Sequence, residues 1–184
     1  SLDEGEKTLV KKLIEENVPN YHPSNYNEFM QACFQTAQKL PNTILNWSKQ
    51  VKQNNIGVIK NLPLDEPIPN TPTERYVLDD IAMLSDSVIG TISAVFGHVY
   101  TFEGKFTIRH IHNIYPTFGD ENSQLGYSNG ELEWHVEDGF HNDRANWIGL
   151  LCLRGDANVI TKIARSKDIA EHSVLPNILF QPCF

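Results

Sequence analysis

The chain has few cysteines, no excess of basic residues and no long apolar run, and each shortage excludes a class of protein. Its 184 residues include three widely spaced cysteines without a Cys-x-x-Cys pair, which favours a reducing, cytoplasmic setting over a disulfide-rich secreted one. Fifteen Lys and Arg against 23 Asp and Glu give a net charge of −8, which argues against nucleic-acid and anionic-membrane partners. No stretch reaches the roughly 18 apolar residues of a membrane span.

Several catalytic motifs are also missing. The sequence contains no Gly-x-Ser-x-Gly, no Gly-x-Gly-x-x-Gly and no phosphate-binding Gly-rich loop ending in Lys-Ser or Lys-Thr. These absences argue against a serine hydrolase of the nucleophile-elbow type, a dinucleotide-binding domain and a P-loop nucleotidase.

The segment 131–141 shows the clearest pattern in the chain. Apolar and polar residues alternate with period two, as in a strand with one buried face, so we expect Leu132, Trp134 and Val136 to be buried. The opposite face then carries His135 and Glu137 side by side. A His-x-Glu pair supplies two thirds of a 2-His-1-carboxylate triad, which binds non-haem Fe(II) and leaves positions open. On the tripeptide alone, a solvated strand face is the simpler interpretation.

The run 148–153 that follows is apolar enough for a buried strand, which predicts that the metal pair lies beside the core and that Cys152 is a core residue. Upstream, the periodicity predicts three helices in residues 1–55, with an Asn25/Glu28 capping box before the second. Other elements are a strand at 56–62, a helix at 73–96, strands at 98–102 and 106–115, and a loop at 116–130.

These elements together predict one α+β domain over residues 1–184, with a helical part at 1–55 and a sheet-forming part at 56–184. Within this frame the sequence resembles the clavaminate synthase-like branch of Fe(II)/2-oxoglutarate dioxygenases, which includes hydroxylases of free arginine, lysine and asparagine. The resemblance lies in residues 57–63, in 132–141, in Arg144, and in 149–154, Asp156 and 159–161.

The resemblance implies a double-stranded β-helix, or jelly roll, flanked by the N-terminal helices. It implies that His135 and Glu137 are the first two Fe(II) ligands and that Thr161 helps to bind 2-oxoglutarate, with O2 as co-substrate. A carboxylate at position 137 favours hydroxylation, because a Gly or Ala there would leave space for chloride.

The same resemblance implies a substrate site for a small amino acid. Leu125 and Ser128 fall near positions that hold the amino-acid backbone, Glu137 borders the substrate, and His112 stands where the family has a glutamine. The acidic residues Glu131, Glu133 and Asp138 could recognise a cationic side chain. We therefore expect hydroxylation of a free basic amino acid, lysine ahead of arginine, while the oligomeric state is left open.

One feature departs from the family. Its second histidine ligand and its 2-oxoglutarate-binding arginine lie far downstream of the His-x-Glu strand, whereas His172 is the one histidine after His141 and falls in a predicted helix at 166–172. We expect these groups, and the last strands of the jelly roll, beyond residue 184. Two alternatives stay open: a catalytically incomplete jelly roll that binds a ligand or a partner, and a cupin-type metal enzyme that uses His110 and His112.

Overall fold

The structure is a computed structural model that describes residues 1–73, 83–102, 109–117, 128, 130–156 and 158–172. The backbone groups into two compact units, Ser1–Leu153 and Arg154–Phe184. In the described residues of the first unit the regular structure is helical, and the core lies among these helices.

The first helix, α1 (Glu4–Asn17), begins at a capping box. Asp3 and Glu6 form a reciprocal capping box, in which the Glu6 N–H donates to Asp3 Oδ1 at 2.8 Å and the Asp3 N–H donates to Glu6 Oε2 at 3.2 Å. This box satisfies two N–H groups that have no partner within the helix. Val10 and Ile14 face the core.

Two further helices, α2 (Tyr26–Ala37) and α3 (Asn42–Asn54), complete the predicted N-terminal set. The predicted Asn25/Glu28 capping box is wrong, because the Asn25 side chain makes no bond to the start of α2. That side chain instead accepts the N–H of His22 at 2.9 Å and caps a 3₁₀ turn at Pro23–Asn25. Helix α3 ends at Asn55, which takes the left-handed conformation with φ 62°.

The fourth helix, α4 (Leu84–Ala94), is buried on nearly every side and packs against α2. Its residue Gly90 allows the close approach, since a Cβ there would lie 2.7 Å from the end of the Phe29 ring. A helix surrounded by protein needs small side chains on the faces that meet other elements. The core residues come from α1 to α4 and the chain around them: Leu2, Val10, Ile14, Val18, Tyr21, Phe29, Met30, Cys33, Ala37, Leu40, Ile44, Val88, Ile92 and Ala94.

Helix α4 is shorter than the predicted helix at 73–96. Met83 is extended, so the helix begins after it, and residues 74–82 lie outside the described part of the chain. The N–H groups of the first two helical residues donate to the carboxylate of Asp65 at 2.8 and 2.9 Å. A carboxylate from a distant segment thus caps this helix, where it also meets the positive end of the helix dipole.

No strand is assigned anywhere in the described residues, which corrects the sequence-based strands at 56–62, 98–102 and 109–115 as far as they are described. At 56–62 the reason is visible. Asn61 is left-handed with φ 64°, which interrupts an extended backbone, and its side chain donates to Leu2 O at 3.1 Å. The Leu2 N–H donates to Lys60 O at 3.1 Å. This segment therefore contacts the N-terminus through isolated hydrogen bonds instead of the regular hydrogen-bond ladder of a β-sheet.

A buried ion pair joins α4 to the segment 109–112. Arg109 Nη2 lies 3.0 Å from Asp86 Oδ2, and both side chains are almost fully buried. Arg109 Nε also donates to Ile111 O at 3.1 Å, and its guanidinium lies over the Tyr21 ring at 5.0 Å. The next residue, His110, donates its N–H to the Tyr21 hydroxyl at 2.8 Å. The segment is thereby fixed to the helical core through polar contacts.

The second unit contains α5 (Ser166–His172), which confirms the predicted helix. Its residues are mostly exposed, and Lys167 and Glu171 form an i,i+4 pair at 3.6 Å. Among the helices of the described residues, none has the length and apolar character required to cross a membrane.

The buried ion pair generates a stability prediction. Asp86→Ala should lower the free energy of unfolding by about 3–5 kcal/mol, because it leaves the Arg109 charge buried without this partner. The double variant Asp86→Leu/Arg109→Met should recover part of that loss, since no charge is then left in the core. Urea denaturation followed by circular dichroism measures both, and a single variant as stable as wild type would contradict the assignment.

Candidate metal site

The His135 ring has a defined tautomer. Its Nδ1 lies 2.7 Å from the Glu133 backbone oxygen, and because a carbonyl oxygen only accepts hydrogen bonds, Nδ1 carries a proton. In the neutral ring Nε2 then holds a lone pair. A metal-binding histidine commonly donates its other N–H to a backbone carbonyl or a carboxylate in this way, which fixes the ring.

Glu137 lies beside that free nitrogen. Its Oε2 is 3.8 Å from His135 Nε2, and both side chains are about half exposed. Two ligand atoms that each lie about 2.0–2.2 Å from one ion can be at most about 4.4 Å apart. The 3.8 Å separation lies within this limit, so the geometry is compatible with one divalent ion between the two atoms, and the role of His135 and Glu137 as metal ligands stays a prediction.

A complete ligand set is not present in the described residues, where no group of three or more His, Cys, Asp and Glu side chains could hold a metal ion. Of the neighbouring acidic residues, Glu131 and Glu133 are exposed and Asp138 is half-buried. Within the described residues, the candidate site consists of His135, Glu137 and their immediate backbone.

The expected burial of the opposite face is wrong. Trp134 and Val136 are 68% and 73% exposed, and Leu132 is exposed as well. The alternating pattern buries a face only where another layer covers it, and no strand within the described residues does so. The run at 148–153 is likewise largely uncovered, with Leu150 74% exposed.

Cys152 is exposed in that run, which corrects its assignment to the core. The core cysteine is Cys33, on the buried side of α2. Burial raises the pKa of the Cys33 thiol to about 11, so this thiol stays protonated and unreactive at neutral pH.

A tight turn contains Glu137, in place of the strand that the sequence predicts there. The Gly139 N–H donates to Val136 O at 3.2 Å, which makes Glu137 and Asp138 the central residues of a turn, and Asp138 has φ 46°. The available signal was the Asp-Gly dipeptide, a common turn marker. Arg144 Nη1 donates to Gly139 O at 3.0 Å, which ties the arginine to the end of this turn.

The other predicted site residues are not gathered around this pair by any described contact. His112 is exposed and belongs to the segment that Arg109 fixes. Ser128 Oγ accepts the N–H of Gly130 at 2.8 Å, whereas Leu125 lies outside the described residues. Thr161 is an exposed residue of the second unit.

The rival pair His110 and His112 has a different environment. The His110 ring stacks on Tyr26 with centroids 3.5 Å apart and planes within 5°. Burial, and secondarily the neighbouring His112, lowers the pKa of His110, so the ring is neutral at physiological pH. The stacked ring of His110 contributes to packing against the helices, whereas His135 presents its free nitrogen to a carboxylate.

Three of the curated proteins to which the chain is similar are hydroxylases of amino acids. The chain is 25% identical over 175 residues to an enduracididine beta-hydroxylase from Streptomyces hygroscopicus, covering 91% of this chain and 51% of that protein. It is 29% identical over 92 residues to an L-ornithine/L-arginine 3-hydroxylase from Catenulispora acidiphila, covering 50% and 27%. It is 25% identical over 113 residues to an L-lysine 3-hydroxylase from the same organism, covering 61% and 32%.

The chain is a distant relative of amino-acid hydroxylases. This confirms the resemblance to clavaminate synthase-like dioxygenases, and the homology implies their jelly-roll fold. The chain spans about half the length, or less, of the curated relatives it matches. No family model and no solved structure matches it.

The exposure of Trp134 generates a prediction that separates the exposed position observed for this side chain from the buried one expected. Trp134→Ala should change the free energy of unfolding by less than about 0.5 kcal/mol, as is usual for exposed positions. Phe29→Ala, a fully buried aromatic, should cost about 3–5 kcal/mol. A loss at Trp134 comparable to that at Phe29 in urea denaturation would show that this face is covered.

Proposed function

We propose that this protein takes part in the Fe(II)- and 2-oxoglutarate-dependent hydroxylation of a free amino acid. The observation that carries the proposal is the 3.8 Å approach of His135 Nε2 to Glu137 Oε2, with Nδ1 of the same ring fixed by a backbone carbonyl. The similarity to three amino-acid hydroxylases supports it.

His135 and Glu137 would hold the iron. When bound with 2-oxoglutarate and O2, the iron supplies the oxidising power to hydroxylate an unactivated C–H bond. The backbone bond from His135 keeps its Nε2 available as a ligand, and the anionic carboxylate of Glu137 offsets part of the metal charge. By the resemblance, Thr161 contributes to 2-oxoglutarate binding, and Leu125, Ser128, His112 and Glu137 border the amino acid.

We propose a basic amino acid as the substrate, with lysine ahead of arginine. The carboxylates of Glu131, Glu133 and Asp138 lie within six residues of the metal pair in sequence and would attract a cationic side chain. Two relatives are named for ornithine, arginine and lysine, amino acids that carry such a side chain. The net charge of −8 also favours the approach of a cationic substrate.

A second function has one observation in its favour. Since the described residues hold two metal ligands and no third, a jelly roll that binds a small molecule or a partner without turnover fits them as well. Succinate formation that requires both Fe(II) and 2-oxoglutarate separates the two functions, because a binding module forms none.

The metal pair is tested by substitution. His135→Ala and Glu137→Ala should each abolish Fe(II)-dependent succinate formation with little change in the free energy of unfolding, because both side chains are half exposed. The matched controls His172→Ala and Glu171→Ala remove the same residue types from exposed positions of α5 and should retain activity. Wild-type rates in either metal-pair variant would disprove the assignment.

The substrate class is tested by competition between free amino acids. Lysine and arginine should be hydroxylated with a kcat/KM at least about 10-fold above that of asparagine, equivalent to about 1.4 kcal/mol of preference. Mass spectrometry of an equimolar mixture measures the ratio directly. Preferential hydroxylation of asparagine would reject a basic substrate while leaving the hydroxylase assignment intact.

A further inference from the structure

We propose that Arg144 is a positioning residue for the metal pair, an inference that rests on the proposed function. It acts by closing the loop 138–144, through which it sets the placement of the Glu137 carboxylate. Three features of the loop support this role: the turn that contains Glu137, the hydrogen bond that closes the loop, and the contacts that anchor it.

The carboxylate ligand lies inside a turn and not on a regular strand. The backbone bond from Gly139 to Val136 encloses Glu137, and the next bond, from the His141 N–H to Asp138 O at 2.8 Å, continues the fold-back. Asp138 holds φ 46°, a conformation that a residue with a Cβ adopts at a cost. A turn of this kind keeps its shape only where neighbouring contacts hold it.

Arg144 supplies such a contact. Its side chain reaches back five residues and donates from Nη1 to the Gly139 carbonyl at 3.0 Å, while its own N–H donates to His141 O at 3.3 Å. A guanidinium donor makes a charge-assisted hydrogen bond to that carbonyl. The loop is thus closed at the residue that also completes the turn around Glu137.

A separate segment anchors the far end of this loop. The Tyr100 hydroxyl donates to Asp143 O, one residue before Arg144, and the Phe102 ring lies against the His141 ring with centroids 4.1 Å apart. These contacts come from more than 35 residues away in sequence and hold the loop at two points. Because the far end of the loop is anchored, the hydrogen bond from Arg144 to the Gly139 carbonyl restricts the conformation of the turn.

The closed loop affects the distance between the two candidate ligand atoms, His135 Nε2 and Glu137 Oε2. The 3.8 Å separation of His135 Nε2 and Glu137 Oε2 depends on the backbone orientation at Glu137, since the histidine is fixed independently by the Glu133 carbonyl. Loss of the Arg144 bond frees the turn and lets the carboxylate move away from the free nitrogen. Metal affinity should fall although Arg144 is not itself a metal ligand.

The experiment titrates Co(II) alone into wild type, Arg144→Ala, Arg144→Lys and Arg165→Ala, and follows the visible absorption of the bound ion. Arg165→Ala is the matched control, because it removes an exposed arginine from the second unit. Arg144→Ala should weaken Co(II) binding by about 10–100-fold, the usual effect of removing a group that orients a ligand. Arg144→Lys should recover part of the affinity, and Arg165→Ala should bind as wild type does.

Two further measurements separate positioning from general destabilisation. The thermal midpoint of Arg144→Ala should match that of Arg165→Ala, while amide hydrogen exchange should accelerate at Gly139 and His141. Equal Co(II) affinity in Arg144→Ala and Arg165→Ala, with wild-type binding that His135→Ala removes, overturns the positioning role and leaves the metal pair standing. Wild-type protein without His135-dependent Co(II) binding overturns the metal pair and the positioning role with it.

Discussion

The buried ion pair between Asp86 and Arg109 is the constraint on which the arrangement of the first unit depends. A charge in the core is tolerated only when it is paired and hydrogen-bonded, so α4 and the segment 109–112 must stay together. Helix α4 is in turn held by the Asp65 cap at its start and by the Phe29 ring against Gly90. Polar and apolar contacts therefore fix the same helix from three sides.

The metal pair is organised differently, through short-range bonds. His135 is oriented by a carbonyl two residues away, and Glu137 by a turn that closes two residues later. Because these hydrogen bonds are local, they do not require a hydrophobic core beneath the segment. His135 and Glu137 can therefore be oriented while Leu132, Trp134 and Val136 are exposed. The homology to hydroxylases implies a jelly roll, in which a face of this composition would be covered.

The parts of the fold that sequence could predict are those with local causes. Helices α1, α2, α3 and α5 follow from side-chain periodicity, since each backbone bond spans four residues. The proximity of His135 and Glu137 follows from the His-x-Glu spacing, whereas their role as metal ligands stays a prediction. Strands could not be predicted from the pattern alone. The alternation at 132–136 leads to a strand only where a neighbouring strand provides the hydrogen-bond partners for its backbone.

Three differences between the sequence-based predictions and the structure have specific physical reasons. The start of α4 depends on a carboxylate from Asp65, nearly twenty residues upstream, and no local signal marks such a cap. The Asp138-Gly139 dipeptide indicates a turn, whereas the alternation of apolar and polar residues around it indicates a strand. The structure has the turn. Cys152 was assigned to the core by its apolar neighbours, whose exposure shows that apolar sequence alone does not bury a residue.

The central claim is that His135 and Glu137 together bind a divalent ion. Mn(II) added at substoichiometric amounts to ¹⁵N-labelled protein tests it most directly, because the paramagnetic ion broadens the amide signals nearest to it. The account predicts that residues 135–139 broaden first, and that Glu137→Gln weakens the effect. Broadening centred on His110 and His112, or none localised near His135, would contradict it.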